Sequence, residues 1–559
     1  MSRPGLAKAG ALLSWVLLCV RWFDAGAPFR PGWLAAVPPL VFAVALVFAV
    51  AVLWRGRRPA DAGRATLLLV VALAILFRLP FVAQGAAGAV TPDGALSGIV
   101  ALHARDGISH LVFVPHVPYS GSLKSHLTAP LAAVVDPAVA FALVSVLFYA
   151  AFAAGVVRLA ALVEGATPWT ARAAGIYAAF APAFVTRYSV SNDGNYVEVL
   201  ALGTWAAVLA ARWARAPGDA RPPGLAIGVL LGLAGWCHIL ALIPLVAVGV
   251  ALLLVDVRRA LRAAPAVALG LVAGYFPALV WNAGNGWASF RYLLPGGGVG
   301  SIEAGPGLGG RLAGMVTGQW PVLLGFDPGY GAFADRLLLA LAWLAVGTAL
   351  GAVVWCARDA FRAPVPVLRA LVLWVAVNVA IVALALPLVP GNPRYLLFLM
   401  TPLPILLARA LGGRGRAVMA VVVAFGAATS LLQLPGTVRA DRQWRGFVAS
   451  LESEGVSHCF TDFFLATKVN FLSSERVVCS AKLGPTTTEY FFEYRRAVDE
   501  APSAALVAVN GAAADKLERR LERLGVTYER RDLMKPVLLR LSRKVDPQEL
   551  FPDREFPLR

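Results

Sequence analysis

Long apolar runs, separated by short arginine-bearing segments, dominate the first three quarters of the chain. A bilayer crossing takes about 20 apolar residues, and by that measure the pattern predicts about thirteen transmembrane helices. The first covers residues 6–20, the second 33–54 and the third 65–83. Further crossings start near Pro137, Thr170, Gly194, Pro223, Ile239 and Ala264, then near Phe333, Ala370, Tyr395 and Arg416. Two long loops interrupt the series, at residues 84–136 and 282–332, and the apolar pattern stops near Leu434.

Beyond that point the pattern changes period. Trp444, Phe447, Val448 and Leu451 have helical spacing, whereas "VSHCF", "RVVCS", "ALVAVN" and "VLLRLS" read as short strands. A helical "AAADKLERRLERLG" lies between two of them. The tail is therefore expected to form a small α/β domain over residues 435–545, with a flexible end at 546–559. Residues 1–64 form an N-terminal transmembrane extension and 65–434 the transmembrane core. The fold class is mainly α, a polytopic helical core carrying this small domain.

Composition agrees. Hydrophobic residues make up 59% of the 559, charged residues only 15%, and the mean hydropathy is +0.70. The net charge of +18 invites a nucleic-acid reading, but the arginines are spread between apolar runs and form no single basic face. They act as topology signals. Arg55, Arg57, Arg58 and Arg64 crowd one loop. Arg212, Arg215 and Arg221 share a second, Arg258, Arg259 and Arg262 a third, Arg358, Arg362 and Arg369 a fourth, and Arg409, Arg414 and Arg416 a fifth. Alternating crossings put all five on one side, which the positive-inside rule makes cytoplasmic. The N-terminus then lies in the cytoplasm, and the two long loops and the C-terminal domain lie outside. "DAGA" near Ala27 has the small residues of a signal-peptide cleavage site. An uncleaved first helix is the preferred reading, because Arg21 and Asp24 crowd that site.

Of the five cysteines, Cys19, Cys237 and Cys356 sit in apolar runs as small hydrophobes. Cys459 and Cys479 lie in the outer domain, where an oxidising compartment permits a disulfide; two free buried thiols fit the sequence as well. There is no CxxC, HExxH, P-loop or GxSxG. The GxGxxG at Gly305, Gly307 and Gly310 follows no strand and reads as a loop.

Candidate chemistry concentrates in the outer segments. Asp93 follows the third crossing in "TPDGALSGIVALHARDG". Two readings fit it: a helix cap, or a general base at the water–lipid boundary. Four of the six histidines lie in the same loop. His103, Asp106 and His110 share a helical face that Gly107 interrupts, which makes a weak metal candidate beside the simpler reading of solvated histidines. "RYSVSNDGNYVEVLALG" places Arg187, Tyr188, Asn192, Asp193, Tyr196 and Glu198 at the outer ends of two crossings, as a polar cavity lining or an ordinary turn. Arg394 and Tyr395 open a late crossing, where an interfacial anchor and a phosphate contact both fit.

These segments together resemble a known family. "PDGALSGIVALHARDG", "PYSGSLKSHLTAPLAAVVDP" and "NYVEVLALG", in that order, are similar to bacterial polytopic membrane proteins of the GT-C glycosyltransferase superfamily, alongside protein O-mannosyltransferases and aminoarabinose transferases. "GYFPALVWNAGNGWASF", "PRYLLFLMTPLP" and, in the tail, "DFFLATKVNFLSSERVV" look like family segments too. The resemblance spans most of residues 67–434. It implies transfer of a sugar from a polyprenyl-phosphate donor to a glycan, lipid or protein acceptor outside the bacterial cytoplasmic membrane. Asp93 matches the family's catalytic aspartate. On that resemblance Arg394 contacts the donor phosphate, Tyr119, Tyr196 and Glu198 line the cavity, Lys124 is an alternative partner for the phosphate, and Tyr395 and Asn192 belong to the donor- and acceptor-binding set. No cofactor beyond the lipid-linked sugar and no divalent metal is expected. The chain departs from the family in two places: Gly94 stands where an Asp-Glu pair would end, and Lys124 where "GSLE" would place a glutamate. Those losses keep a rival open, a lipid-linked sugar transporter or an inactive scaffold. Inverted repeats and midplane charges would favour transport; neither stands out.

Overall fold

The computed structural model describes residues 3–30, 38–41, 44, 63–191, 193–216, 223–292, 294, 307–386, 391–483 and 489–552. Every expected crossing but one has a helical element at its place; the second, at 33–54, lies outside the described residues for most of its length. Among the described residues, six helices are long and apolar enough to span a bilayer, Arg64–Ala89, Pro137–Ala160, Tyr196–Ala214, Ala332–Arg362, Pro366–Ala385 and Arg416–Ser453, and up to eight if two bent pairs each count as one. The bends are 64° between Val257–Gly274 and Phe276–Gly284 and 44° between Arg394–Met400 and Leu403–Leu411. Each falls where a proline, Pro277 or Pro402, removes a backbone donor at the break. The crossing expected near Thr170 is split into Pro168–Ala179 and Ala183–Val190, with Pro182 between. Expected crossings thus outnumber long helices because several apolar runs fold as short or broken segments.

Among the described residues, several arginines of these clusters are tied to neighbouring helix ends. Arg409 lies 3.6 Å from Asp359, the Arg259 guanidinium sits 4.9 Å over the Trp213 ring, and Arg416 sits 5.2 Å over Trp169. Around the bundle, Phe333, Val354, Trp355 and Leu384 are largely exposed, an apolar belt that suits lipid rather than water. The chain is a multi-pass membrane protein. Its first helix, Arg3–Trp22, packs into the bundle, and the Trp15 indole donates to the Ala273 carbonyl at 2.7 Å.

The first long loop is mostly folded. Thr91 caps a helix over Pro92–Asp106, here termed the mouth helix, by accepting from Gly94 N–H at 3.0 Å. The loop then runs through "PYSGSLK", where Ser120 pairs with His238 and Phe113 with Gly121 in single antiparallel bridges. A Cβ on Gly121 would meet the Trp236 carbonyl oxygen at 2.1 Å, so only glycine fits there.

The last long helix does not stop at Leu434. It continues to Ser453, through Pro435, and carries the chain into the soluble domain. That domain is a five-stranded sheet in the order β2-β1-β3-β5-β4. β1 (His458–Phe460), β2 (Val478–Ser480) and β3 (Ala505–Ala508) are parallel, and β5 (Val537–Leu541) and β4 (Tyr528–Asp532) complete it antiparallel. Cys459 and Cys479 face each other across β1 and β2 and form a disulfide, which settles the two readings in favour of the bond. The flexible end expected from residue 546 begins later: Asp546 caps a short helix, Pro547–Leu550, and Leu550 is buried against the domain, because its apolar side chain has a core to enter. Residues 553–559 lie outside the described residues.

Candidate active site

The mouth helix delivers Asp93 to the rim of a cavity of about 1000 Å³ at the Ala89 end of the helix Arg64–Ala89, away from Arg64. The wall is built from four distant parts of the chain. Asp93 comes from the first loop, Arg187 and Asp193 from the hairpin before Tyr196–Ala214, Arg394 from the bent late crossing, and Asp327 and Tyr330 from the second loop. Residues of the long helix around Gln433 and Arg439 close the far side.

Three carboxylates, of Asp93, Asp193 and Asp327, and three guanidiniums, of Arg187, Arg394 and Arg439, therefore face one space. The surrounding protein raises the Asp93 carboxyl above its usual range, and the charge of Arg394 partly offsets this. Asp193 is raised too, first by burial and then by the negative charge of Asp93. The negative charge of Asp93 thus makes Asp193 harder to ionise than burial alone would.

Aromatic side chains frame the cations. Arg394 Nη2 donates to the Tyr395 hydroxyl at 3.0 Å, and its guanidinium stands 4.9 Å from the Tyr395 ring centre. Arg187 stacks over Phe184 and Tyr188, each at 5.3 Å. Tyr119 packs at 4.5 Å against Tyr292 and at 5.5 Å against His238, which itself lies 5.1 Å from Tyr196. The αL turn that starts Tyr196–Ala214 is fixed by Asn195, whose amide donates to Gly121 O at 2.7 Å and Cys237 O at 3.1 Å. Three loops are thereby locked in register around the cavity.

Of the expected residues, the structure places Asp93 and Arg394 on the cavity wall; Tyr395, Tyr119 and Tyr196 stand near them without lining the cavity. It sets apart Lys124 and Glu198, which do not line the cavity. Lys124 Nζ lies 2.8 Å from Glu198 Oε1, with side chains 2% and 0% exposed, and also donates to Ser145 Oγ at 3.3 Å. A buried lysine is held by the nearest buried carboxylate, so neither is free to meet a phosphate. Asn192 lies outside the described residues. The weak metal candidates diverge as well. The mouth helix ends at Gly107, in the left-handed conformation, and the turn carries His110 away to stack on Trp22 at 4.3 Å. Asp106 is held by Arg105 at 2.7 Å, and His103 Nε2 meets Glu475 of the soluble domain at 2.8 Å. No three His, Cys, Asp or Glu among the described residues are placed to hold a metal ion.

Sequence reasoning named Arg187 and Asp193 only as members of a polar hairpin, and it missed Asp327, Tyr330, Gln433 and Arg439 altogether. Asp327 accepts from Gln433 Nε2 at 3.0 Å and from the Tyr330 hydroxyl at 3.1 Å. The one available signal was the polar "FDPGYGAFAD" directly before a crossing.

No protein-family model matches the chain, and no curated protein matches it by sequence. Solved structures do match its fold. ArnT from Cupriavidus metallidurans in the apo state superposes with a TM-score of 0.57 at 12% identity, covering 86% of this chain and 98% of that one. The archaeal oligosaccharyltransferase AglB from Archaeoglobus fulgidus, in complex with an inhibitory peptide and a dolichol-phosphate, gives 0.46 at 12% identity, covering 79% and 69%. The likeness to ArnT extends over most of the chain, and on that ground the protein shares that structure's fold.

Proposed function

We propose that the protein is a membrane glycosyltransferase that moves a hexose or pentose from a polyprenyl-phosphate donor to an acceptor hydroxyl on the outer face of a bacterial cytoplasmic membrane. One observation carries this reading: Asp93 shares a cavity at one end of the bundle with Arg394 and Arg187. In the proposed reaction Asp93 takes the acceptor hydroxyl proton as the oxygen bonds to the anomeric carbon. The bond from that carbon to the donor phosphate oxygen breaks, and its electron pair leaves with the polyprenyl phosphate. Arg394 and Arg187 offset the charge that develops there. Attack opposite the leaving group inverts the anomeric centre. A raised carboxyl suits this role, since a base works best with its pKa near the working pH.

Two observations support the outer location. The disulfide belongs to an oxidising compartment, and Arg64 and Arg212 lie at the ends of their helices away from the cavity.

The test is transfer of radiolabelled sugar from a panel of polyprenyl-phosphate donors in membranes, comparing wild type with Asp93→Asn. The expected result is label in product with wild type and a loss of about 10²- to 10⁴-fold in the variant. Transfer that survives in the variant puts the base elsewhere. No transfer by wild type from any donor favours the scaffold or transporter.

A further inference from the structure

A second cavity, of about 950 Å³, lies in the soluble domain, and the membrane site makes no use of it. Its position follows from the strand order. β1 leads through the helix Phe463–Leu472 to β2 on one side, and the chain then crosses back to β3 on the other side of β1. In open α/β sheets the crevice between two such strands, outside their carboxyl ends, is where ligands bind. The cavity lies there. Asp462 follows β1, Val509 follows β3, and Leu483 follows β2, and all three line it.

The chemistry of the wall is asymmetric. The helix Gly511–Arg523 turns Lys516, Arg519, Arg520 and Arg523 to the cavity, against two acids, Asp462 and Glu522. Asp462 is already engaged, because its carboxylate accepts the Leu465 N–H at 2.7 Å as a helix cap. Arg520 is engaged as well, bonded to the Leu550 carbonyl and stacked 4.2 Å from the Phe551 ring. Among the described residues, no carboxylate lies within ion-pair distance of Lys516, Arg519 or Arg523. The acids on this helix that do form ion pairs, Asp515 and Glu518, pair with Arg530, which does not line the cavity. Beside the cations, Leu483, Leu517 and Phe551 add apolar surface to the lining.

We propose that this crevice is a binding site for an anionic glycan, a saccharide bearing carboxylate groups. Uncompensated cations take the acid groups, and the apolar surface takes the face of the ring. The anion preference rests on the crevice alone. The choice of a glycan among anions rests on the transferase reading, since a sugar transferase gains from a second hold on a glycan acceptor.

Binding is tested without catalysis, on the full chain in detergent micelles at low salt, by titration calorimetry with the disaccharide of galacturonic acid and with its neutral galactose counterpart. The acidic disaccharide should bind saturably and the neutral one at least roughly tenfold more weakly. The exposed pair Lys516→Ala/Arg519→Ala should lose roughly tenfold or more, whereas Arg531→Ala, on β4 outside the crevice, should leave binding unchanged. Equal losses in both variants would mean general charge attraction and overturn the site. Inorganic phosphate that binds as tightly as the disaccharide would overturn the glycan. Asp93→Asn should bind like wild type, so a failed transfer assay and a failed titration report on different sites.

Discussion

Lys124 and Glu198 form an ion pair sealed inside the protein, 2.8 Å from Nζ to Oε1. The lysine occupies the position where the resembling family carries an acid. With two acids there, Glu198 would have no buried countercharge, so the departure at Lys124 is matched inside this chain. Truncation of one partner leaves the other charge stranded. Lys124→Met is expected to cost about 3–5 kcal/mol, and Lys124→Met combined with Glu198→Leu to recover most of it. Thermal melting of the detergent-solubilised variants reads both. A single variant as stable as wild type would mean that the pair is hydrated in the membrane.

Asp193 and Asp93 line one cavity, and the charge of Asp93 makes Asp193 harder to ionise. Charge coupling is reciprocal, so Asp193→Asn should let Asp93 lose its proton at lower pH. The acidic limb of the pH profile for kcat/KM is expected to move down. An unmoved limb would uncouple the two carboxylates.

In the C-terminal domain Glu489 is buried, with its carboxyl pushed up to about 7, first by burial and against the Ala481 N–H that it accepts. The folded state therefore holds a proton that the unfolded chain releases near pH 4.5. Stability from this group is full below that value and is lost as pH rises to about 7. Glu489→Gln keeps the acceptor and cannot ionise. Relative to wild type, it should gain up to about 3 kcal/mol between pH 4.5 and pH 8. Parallel melting curves across this range would show that Glu489 is not the group involved.

The Cys459–Cys479 bond closes a loop with a sequence separation of 20. Replacing both cysteines by serine should destabilise the C-terminal domain by about 3 kcal/mol. Non-reducing peptide mapping should show the bond in protein from intact cells, and a free thiol at Cys459 there would count against an outer location.

Much of this was legible in the chain. Apolar run length placed the crossings, and alternation placed four of the five strands. The fifth, β4, reads "YERRD"; it is an exposed edge strand with no apolar face, so no alternation marks it. Asp93 and Arg394 were legible because a polar residue at the end of an apolar run stands out. Lys124 and Glu198 were misassigned, because a sequence shows that two charges sit near a membrane but not that they meet. Arg78 escaped notice inside an apolar run. It is fully buried, donating to Ser189 Oγ and to the carbonyls of Ala74 and Ala179, with Tyr149 3.7 Å beneath it. Asp327 and Tyr330 reach the cavity only through tertiary folding.

Gly98 of the mouth helix touches Phe471 of the soluble domain so closely that a Cβ would lie 2.5 Å from the ring, and His103 reaches Glu475 in the same contact. The long helix, at 1.5 Å per residue, is a strut of about 57 Å that joins bundle and domain without a break. An exchange of the C-terminal domain for a relative's, spliced at residue 434, would cut this strut and unseat the helix that carries Asp93. The two parts are not interchangeable cassettes, and a working chimera would have to carry the mouth helix over together with the domain it leans on.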